Sequence, residues 1–311
     1  MATPRVSLII PTQRRLDGLA TAARSTFLQA GVDPATLELV VVDNDQAPSA
    51  KALTQGLAAE APFPVVYVHE PEPGVANARN AAMAQARGDF IAFLDDDEEA
   101  PAGWLAALLA AQSKYDADVV FGPVRGRAPS NVVKHRAYLE WFFSRVGDGP
   151  REGVIDHYYG CGDSLIRRAS LPNPNAPFSA LRNHIGGEDD LLFGGMRARG
   201  ATFAWAPDAW VWEDPVPSRL TLDYTIARAF AYGQGPSAHC AISTPPDRLG
   251  VARWMAIGMG QAGVYGLVAA LQWLVRSPRF AYTLDRAARG LGKTLWWGPF
   301  KIHFYGLRAP T

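Results

Sequence analysis

The sequence predicts an α/β protein with a mostly parallel sheet flanked by helices, followed by a C-terminal helical extension. Between residues 6 and 124, short apolar runs alternate with stretches of helical periodicity, which is the pattern of consecutive βαβ units. From residue 251 onward this alternation stops, and apolar, aromatic and basic residues follow at helical spacing. We therefore expect two parts, a sheet domain over residues 1–235 and a helical extension over residues 236–311.

Composition narrows the class of protein. A chain of 311 residues with 48% hydrophobic and 19% charged residues is typical of a folded globular protein. Thirty basic and thirty acidic residues cancel, so the overall charge does not favour a nucleic-acid partner. From Val251 onward, however, the sequence contains eight Lys or Arg residues and a single acidic residue, Asp285. The extension is therefore basic.

The cysteines and the N-terminus predict a cytoplasmic location. Cys161 and Cys240 form neither a disulfide framework nor a metal-binding spacing, so a reducing compartment is expected. The first residues lack the charged start and apolar core of a signal peptide, and export is not expected.

The individual elements follow from apolar periodicity and from the turn residues between them. Strands are predicted at Val6–Pro11, Leu37–Asp43, Val65–His69, Phe90–Leu94, 118–124, 203–207 and 209–213. Helices are predicted at 16–30, 49–59, 74–87, 104–114, 188–197 and 222–232. Residues 125–187 are rich in Pro and Gly and give no regular pattern.

A run of acidic residues ends the strand Phe90–Leu94. Asp95, Asp96 and Asp97 follow it directly, at the edge where open α/β sheets bind ligands. Adjacent carboxylates repel one another unless a cation or a donor-rich ligand lies among them, and oxygen donors of this kind suit Mg²⁺ or Mn²⁺. The alternative is a solvated acidic turn before the helix that begins near Pro101, because acidic side chains favour helix N-termini.

Polar residues also end the first two strands. Pro11 and Thr12 close one strand, and Asp43 closes the next. Gly74 opens a helix that carries Arg79, and a helix N-terminus favours an anion. Asp43 can accept a hydrogen bond from a base, and Arg79 can anchor the base or the ribose. The sequence has neither the glycine pattern of dinucleotide sites nor a P-loop, so this crevice predicts a nucleoside diphosphate held with a metal.

Five motifs occur in order along the chain: Val6-Ser-Leu-Ile-Ile-Pro-Thr, Val41-Val-Asp-Asn, Gly74-x-x-x-Ala-Arg-Asn, Ala86-x-Gly-Asp-x-Ile-x-Phe-Leu-Asp-Asp-Asp and Gly187-Glu-Asp-Asp. Over about residues 5–235 the sequence resembles glycosyltransferase family 2, whose members have the GT-A fold. The resemblance implies an enzyme that transfers a sugar from a nucleotide-diphospho-sugar and inverts its anomeric configuration. Uridine is the usual base in that family.

The resemblance also implies roles for single residues. Pro11, Thr12, Asp43 and Arg79 correspond to nucleoside-binding positions. Asp95 corresponds to a residue at the ribose and the metal, Asp97 to a metal ligand on the diphosphate, and Asp96 lies between them in the nucleotide site. Mg²⁺ or Mn²⁺ is the implied cofactor.

Asp189 corresponds to the general base of the family, which takes a proton from the acceptor hydroxyl. Glu188 is expected to orient that base or to bind the acceptor. Helix capping is the alternative role for residues 188–190, although glycines at 186 and 187 allow a close backbone approach.

Further assignments concern the acceptor and the diphosphate. Asp163 lies in a segment that resembles the family's acceptor side, and Arg219 and Arg228 are candidates for contact with the diphosphate. Processive relatives carry Gln-x-x-Arg-Trp here, and this chain does not, so one sugar per visit is expected. Many relatives also place a metal-binding His after the base, where this chain offers Glu213.

The extension bears on location. Residues 254–275 contain 22 residues without a charge, enough to cross a bilayer, but they include Gln261, Gln272 and several glycines. The segment can span the membrane, lie in the headgroup region, or pack on the domain as a helical hairpin. We expect action at the inner face of a bacterial membrane on a lipid-linked or polysaccharide-precursor acceptor.

Two other functions remain open at this point. A nucleotidyltransferase or sugar-nucleotide hydrolase would use the same fold, metal and nucleotide, but would not need a base facing a sugar hydroxyl. A non-catalytic sugar-binding module would need none of Asp95, Asp97 and Asp189.

Overall fold

The computed structural model describes residues 4–147, 149, 151–183 and 187–302, so Gly186 and residues 303–311 lie outside the described residues. The chain divides into two compact units. The first contains residues up to 125 and residues 144–214, and the second contains residues 126–143 and those from 215 onward. The division predicted after residue 235 falls inside a continuous helix of the second unit, and as a division of function it stays a prediction.

The strands were predicted well where they are long and apolar. In chain order the described strands are β1 (Val6–Thr12), β2 (Leu37–Asp43), β3 (Val65–His69), β4 (Phe90–Phe93), β5 (Glu98–Glu99), β6 (Val119–Phe121), β7 (Val124–Gly126), β8 (Gly153–Ile155), β9 (Ser164–Arg167), β10 (Phe203–Trp205) and β11 (Val211–Glu213). All seven residues of β2 are buried, as expected for a central strand covered on both faces.

The main sheet has the order β3-β2-β1-β4-β9-β6-β10-β8, and a small sheet has the order β5-β11-β7. In the main sheet β1 pairs in parallel with β2 and β4, β2 with β3, and β6 with β10. Strand β9 lies antiparallel between β4 and β6, and β8 is antiparallel at the edge. The predicted mostly parallel sheet is confirmed.

The described helices are α1 (Leu16–Phe27), α2 (Lys51–Glu60), α3 (Val75–Gln85), α4 (Trp104–Tyr115), α5 (Arg136–Phe143), α6 (Glu188–Ala198), α7 (Leu222–Ile242), α8 (Arg248–Leu274) and α9 (Phe280–Thr294). Alternate residues of each strand pack into two apolar layers, since successive side chains point to opposite faces. Leu8, Ile10 and Trp104 belong to one layer, and Ile9 and Phe93 to the other.

Strand register brings the predicted ligand-binding ends together. Thr12 lies beside Asp43 on the neighbouring strand, and Ile9 lies beside Phe93. The amide of Leu94 donates to the carbonyl of Ile9 at 3.1 Å, so the acidic residues emerge next to the end of β1. The strand ends therefore share one edge of the sheet, as the sequence pattern predicted.

Three differences separate the observed elements from the predicted ones. The strand predicted over 118–124 is split into β6 and β7 at Gly122 and Pro123, and Pro123 has no N–H to donate to a neighbouring strand. Gly122 approaches Ala209 so closely that a Cβ would lie 1.8 Å from the carbonyl oxygen of Ala209. Helix α7 continues ten residues beyond the predicted end at Tyr232, through Pro236. Helix α5 and strands β8 and β9 lie in the stretch for which no pattern was found.

The second unit is built from helices that approach through glycines. A Cβ on Gly233 of α7 would lie 2.2 Å from the carbonyl oxygen of Arg289, and one on Gly258 of α8 would lie 2.5 Å from that of Gly290. Asp285 of α9 is buried, and it accepts hydrogen bonds from Arg289 at 2.7 Å and from Tyr138 of α5 at 3.3 Å. Helix α9 therefore lies between α7 and α8 with a face of small residues.

Helix α8 leaves most of its apolar surface uncovered. Within the described residues, it is the helix whose length and composition suffice to cross a membrane, and 11% of its most apolar stretch is buried. Its exposed side chains include Met259, Val264, Leu267, Leu271 and Leu274. The helical hairpin of α8 and α9 is present, yet it does not bury the large residues of α8.

Candidate active site

The acidic loop after β4 is held by the first strand and the first helix. Asp96 is buried and accepts hydrogen bonds from Thr12 Oγ1 at 2.7 Å and from Arg15 Nη1 at 2.9 Å. Burial raises the pKa of Asp96 to about 6, although Arg15 and Thr12 act in the opposite direction. The same nitrogen of Arg15 donates to Asp97 Oδ2 at 2.8 Å. Asp96 and Asp97 therefore share one cation.

Asp95 is the most accessible of the three aspartates. Its side chain is 38% exposed, and its nearest cationic atom is Nη2 of Arg79 at 3.6 Å. Its backbone amide donates to Glu98 Oε2 at 2.8 Å, which fixes the turn. A Cβ on Gly162 would lie 2.6 Å from Asp95 Oδ2, so this carboxylate rests directly on the Gly162 backbone.

Asp189, the predicted base, lies in the first turn of α6 against the same stretch of backbone. Its Oδ2 accepts a hydrogen bond from the amide of Cys161 at 3.3 Å, and a Cβ on Gly160 would lie 3.3 Å from that oxygen. We call residues 160–162 the glycine segment. Asp189 contacts Gly160 and Cys161 of this segment, and Asp95 contacts Gly162. Because Gly160 and Gly162 are two residues apart in the chain, their Cα atoms are separated by at most about 7 Å. The structure thus brings these two carboxylates to one place.

The backbone of the glycine segment is held by hydrogen bonds from Arg145. This side chain donates to the carbonyl oxygens of Gly160 at 3.1 Å and Gly162 at 2.8 Å. Arg145 was missed by sequence reasoning, because it lies in the stretch without periodicity, where no motif marks it.

Arg79 is buried and links the two acidic elements. Its Nη1 donates to Glu188 Oε1 at 2.6 Å, while its Nη2 is 3.6 Å from Asp95. Its guanidinium lies 5.8 Å from the ring centre of Phe93 and 5.6 Å from that of Phe178. Burial raises the pKa of Glu188, and the nearby positive charge of Arg79 offsets part of that rise. Within the described residues the buried Nε of Arg79 has no hydrogen-bond partner, and the nucleoside contact predicted for Arg79 stays a prediction.

Asp43 is also fully buried and already bonded. Its Oδ2 accepts hydrogen bonds from the amide of Ala50 at 2.7 Å and from Tyr67 Oη at 2.9 Å, and its Oδ1 accepts one from Ser49 at 3.3 Å. Pro11 lies half-buried at the end of β1. The carboxylate of Asp43 therefore organises the start of α2. Three donors do not exhaust the roughly four acceptor sites of a carboxylate, and the predicted contact of Asp43 with a base stays a prediction.

The structure places Asp163 in the interior. Its Oδ1 accepts a hydrogen bond from Trp104 Nε1 at 2.7 Å, its Oδ2 is 3.9 Å from Arg145, and its side chain is fully buried. Burial raises the pKa of Asp163 to about 7, against the effects of Arg145 and Trp104. An acceptor cannot touch this side chain here. The physical reason is its burial against Trp104 and Arg145, and its φ of 52° lies in the left-handed region.

Arg219 and Arg228 belong to the second unit. Arg219 ends a short 3₁₀ turn, and Arg228 Nε donates to Tyr232 Oη at 2.8 Å. Glu213 pairs with Glu98 in the small sheet.

Arg15 is a further residue that sequence reasoning missed. The adjacent arginines Arg14 and Arg15, shortly after the first strand, were a visible signal in the sequence.

The donor set fits a metal that is carried by a diphosphate. Asp95 and Asp97 offer carboxylate oxygens, which Mg²⁺ and Mn²⁺ prefer. In the described part of the chain no three His, Cys, Asp or Glu side chains are grouped to hold a metal by themselves. Mg²⁺ sites commonly use one or two carboxylates together with substrate phosphates, so two aspartates are sufficient.

Comparisons with known proteins identify the family of this chain. The family model of glycosyl transferase family 2 matches residues 7–173. The succinoglycan biosynthesis protein ExoM of Rhizobium meliloti is 36% identical over 239 residues, which cover 75% of this chain and 74% of that protein. The GalNAc(5)-diNAcBac-PP-undecaprenol beta-1,3-glucosyltransferase of Campylobacter jejuni is 31% identical over 132 residues, or 42% of this chain and 41% of that protein.

Among solved structures, a mannosyltransferase from Pyrobaculum calidifontis in complex with GDP-Man and Mn²⁺ superimposes with a TM-score of 0.58 at 20% identity. The match covers 95% of this chain and 88% of the other, and it shows the shared fold. The chain therefore belongs to glycosyl transferase family 2 and is a glycosyltransferase with the GT-A fold.

Proposed function

We propose that this enzyme transfers one sugar from a nucleotide-diphospho-sugar to a hydroxyl of a lipid-linked or polysaccharide-precursor acceptor, with inversion at the anomeric carbon. The observation that carries the proposal is the position of Asp95 and Asp189 on the two parts of the glycine segment. In this proposal Asp95 holds the metal beside the donor and Asp189 deprotonates the acceptor, and both carboxylates contact the same short stretch of backbone.

Asp189 serves as the base. A sugar hydroxyl is a poor nucleophile near neutral pH, and a carboxylate within hydrogen-bond reach takes its proton as the new bond forms. Attack from the side opposite to the diphosphate displaces it in one step and inverts the configuration. Glu188 is paired with Arg79 at 2.6 Å, so its role is to fix the start of α6 and thereby the position of Asp189.

Asp95 and Asp97 would hold Mg²⁺ or Mn²⁺, and such an ion neutralises negative charge on the departing diphosphate when it is bound. Thr12 and Arg15 fix the acidic loop through Asp96 and Asp97. Pro11, Asp43 and Arg79 border the nucleoside region, Asp43 and Arg79 from buried positions, and Arg219 and Arg228 remain candidates for contact with the diphosphate.

The names of relatives support the choice of substrate. One acts in succinoglycan biosynthesis and another is a glucosyltransferase on an undecaprenol-linked saccharide. A structural neighbour binds GDP-Man with Mn²⁺. We propose a UDP-linked donor on the habit of the family, and single addition because the motif of processive members is absent from the sequence.

The exposed face of α8 supports placement at a membrane surface, and we propose the cytoplasmic side. Large apolar side chains project from this helix. Basic residues flank it at both ends, namely Arg248 and Arg253 near its start and Arg276 and Arg279 beyond its end. Apolar residues next to cations suit the surface of an anionic bilayer. We propose that α8 lies in the headgroup region.

The test uses the full chain and a panel of nucleotide sugars scored by thermal shift with Mn²⁺. The donor that shifts the melting temperature most is then assayed with and without acceptor lipids. Release of nucleoside diphosphate only in the presence of an acceptor supports transfer, whereas equal release without acceptor identifies a hydrolase.

The variant Asp189→Asn tests the base. We expect transfer to fall by roughly a thousandfold, because general base catalysis contributes about 10²- to 10⁴-fold. Donor binding should stay within about twofold of the wild type, since Asn keeps the size of the side chain. Asp190→Asn, one residue further in α6, is the matched control. Equal loss of donor binding and transfer in Asp189→Asn would show that the assignment is wrong.

A further inference from the structure

One nitrogen of Arg15 serves two carboxylates of the acidic loop. Nη1 donates to Asp96 Oδ1 at 2.9 Å and to Asp97 Oδ2 at 2.8 Å. The Arg15 side chain is 25% exposed, whereas those of Asp96 and Asp97 are 9% and 12% exposed. A single positively charged group thus occupies the space between two neighbouring anions, where a small cation would also be attracted.

This placement is built into the fold. Arg15 is the residue that precedes α1, and its carbonyl oxygen accepts the amide of Leu19 at 2.9 Å. A Cβ on Gly18 would lie 2.3 Å from the carbonyl oxygen of Asp96, so the first turn of α1 packs directly on the acidic loop. Glycine at position 18 permits that contact, and the contact brings Arg15 to its two partners.

We propose that Arg15 is the resident counter-cation of the Asp96–Asp97 pair and that it competes with the divalent ion for Asp97. Metal binding then depends on the sugar nucleotide. This inference rests on the proposed function, because it assumes that Asp97 is a metal ligand.

The geometry explains how the exchange is possible. Both contacts of Arg15 use the same nitrogen, and neither is a two-pronged pairing of the guanidinium with one carboxylate. Asp97 can therefore be released while the contact with Asp96 persists. The remaining nitrogens of the guanidinium are then available to a phosphate, which arginine binds well. A metal arriving alone brings no anion for Arg15, whereas a metal arriving with a diphosphate does.

The test is the affinity for Mn²⁺, measured by electron paramagnetic resonance of the free ion, with and without UDP and, separately, GDP. Full-length wild type, Arg15→Gln and Arg14→Gln are compared. Arg14 is a matched control, because it is the neighbouring arginine, its side chain is 69% exposed, and it pairs with Asp45 at 2.6 Å instead of the acidic loop.

We expect Arg15→Gln to bind Mn²⁺ without nucleotide about tenfold more tightly than wild type, and Arg14→Gln to match wild type. The increase in Mn²⁺ affinity on adding nucleotide should be smaller in Arg15→Gln than in the other two proteins. Arg15→Lys keeps a cation at this position and should stay close to wild type, which provides a second folded variant should Arg15→Gln be unstable.

Weaker or unchanged Mn²⁺ binding by Arg15→Gln would overturn the inference, because Arg15 would then support Asp97 as a ligand instead of competing with the ion. Failure of wild type to bind Mn²⁺ even with nucleotide would also overturn it. Acceptor-dependent transfer in EDTA would in that case show that the proposed transferase activity stands without the metal.

Discussion

The two units of this protein differ in the side chains that make their interior contacts and in those that they expose. In the first, two oppositely charged side chains are buried together, Arg79 and Glu188, which are 6% and 5% exposed. In the second, the helix contacts are made by glycines and alanines, and large apolar side chains of α8 remain outside. The first unit therefore buries charged groups at its candidate site, whereas the second exposes the apolar side chains of α8 to solvent. Buried paired charges are typical of a reactive site, and an exposed apolar patch is typical of a surface that binds a membrane or another molecule.

The largest effect on the first unit is expected from Arg79→Met. Removal of the guanidinium leaves Glu188 buried without its partner, and loss of one member of a buried pair costs about 3–5 kcal/mol of unfolding free energy. Urea denaturation followed by circular dichroism measures this loss. The double variant Arg79→Met with Glu188→Gln should recover part of it, because no unpaired charge then remains. A double variant that is no more stable than the single one would contradict the buried pairing.

The second unit is tested at the exposed face of α8. Leu267→Asp combined with Leu271→Asp should weaken binding to vesicles with anionic lipids by at least roughly tenfold, since each exposed leucine that enters the interface contributes on the order of 1.5–3 kcal/mol. Cosedimentation with the vesicles measures the binding. Val154→Asp in the first unit is the matched control, because Val154 is also an exposed apolar residue. Equal binding by all three proteins would remove α8 from the membrane interface.

Some of this organisation was predictable from the sequence, and the reasons differ between elements. Strands β2 and β3 were predicted with the bounds they have, because each is a continuous apolar, β-branched run between turn residues. Strand β9 has four residues in a Pro- and Gly-rich stretch, and its place between β4 and β6 depends on pairing with distant segments. Local periodicity carries no information about such pairing.

The site shows the same limit. That Asp95 and Asp97 follow a buried strand is visible in the chain, so an acidic edge could be derived from pattern alone. The neighbourhood of Asp95 and Asp189, which are far apart in sequence, came only from resemblance to a family. The pairing of Arg79 with Glu188 and the contacts of Arg145 with the glycine segment could not be derived, since each depends on side chains from separate elements.

Glycine contacts in the second unit predict opposite effects for two neighbouring alanine substitutions. Gly258→Ala places a methyl group 2.5 Å from the carbonyl oxygen of Gly290, and overpacking of this kind costs about 1–3 kcal/mol. Gly260→Ala meets no atom within 4 Å and should stabilise α8 by up to about 1 kcal/mol through helix propensity. Thermal denaturation of the two variants measures the difference. Equal melting temperatures would show that α8 does not approach α9 closely at Gly258.

The dependence of the first unit's stability on pH is expected to involve Asp163. Burial raises the pKa of this carboxyl to about 7, so between pH 4 and 7 the folded protein binds a proton that the unfolded chain does not. The contribution of Asp163 to the unfolding free energy is therefore most favourable at low pH and declines as the pH rises through about 7. Asn at position 163 keeps an oxygen that can accept the hydrogen bond from Trp104 and removes this titration. Urea denaturation at pH 4.5 and 7.5 should thus show a larger fall in stability for wild type than for Asp163→Asn. Parallel changes in the two proteins would mean that the Asp163 carboxylate is ionised at both pH values, with Arg145, 3.9 Å away, compensating its burial.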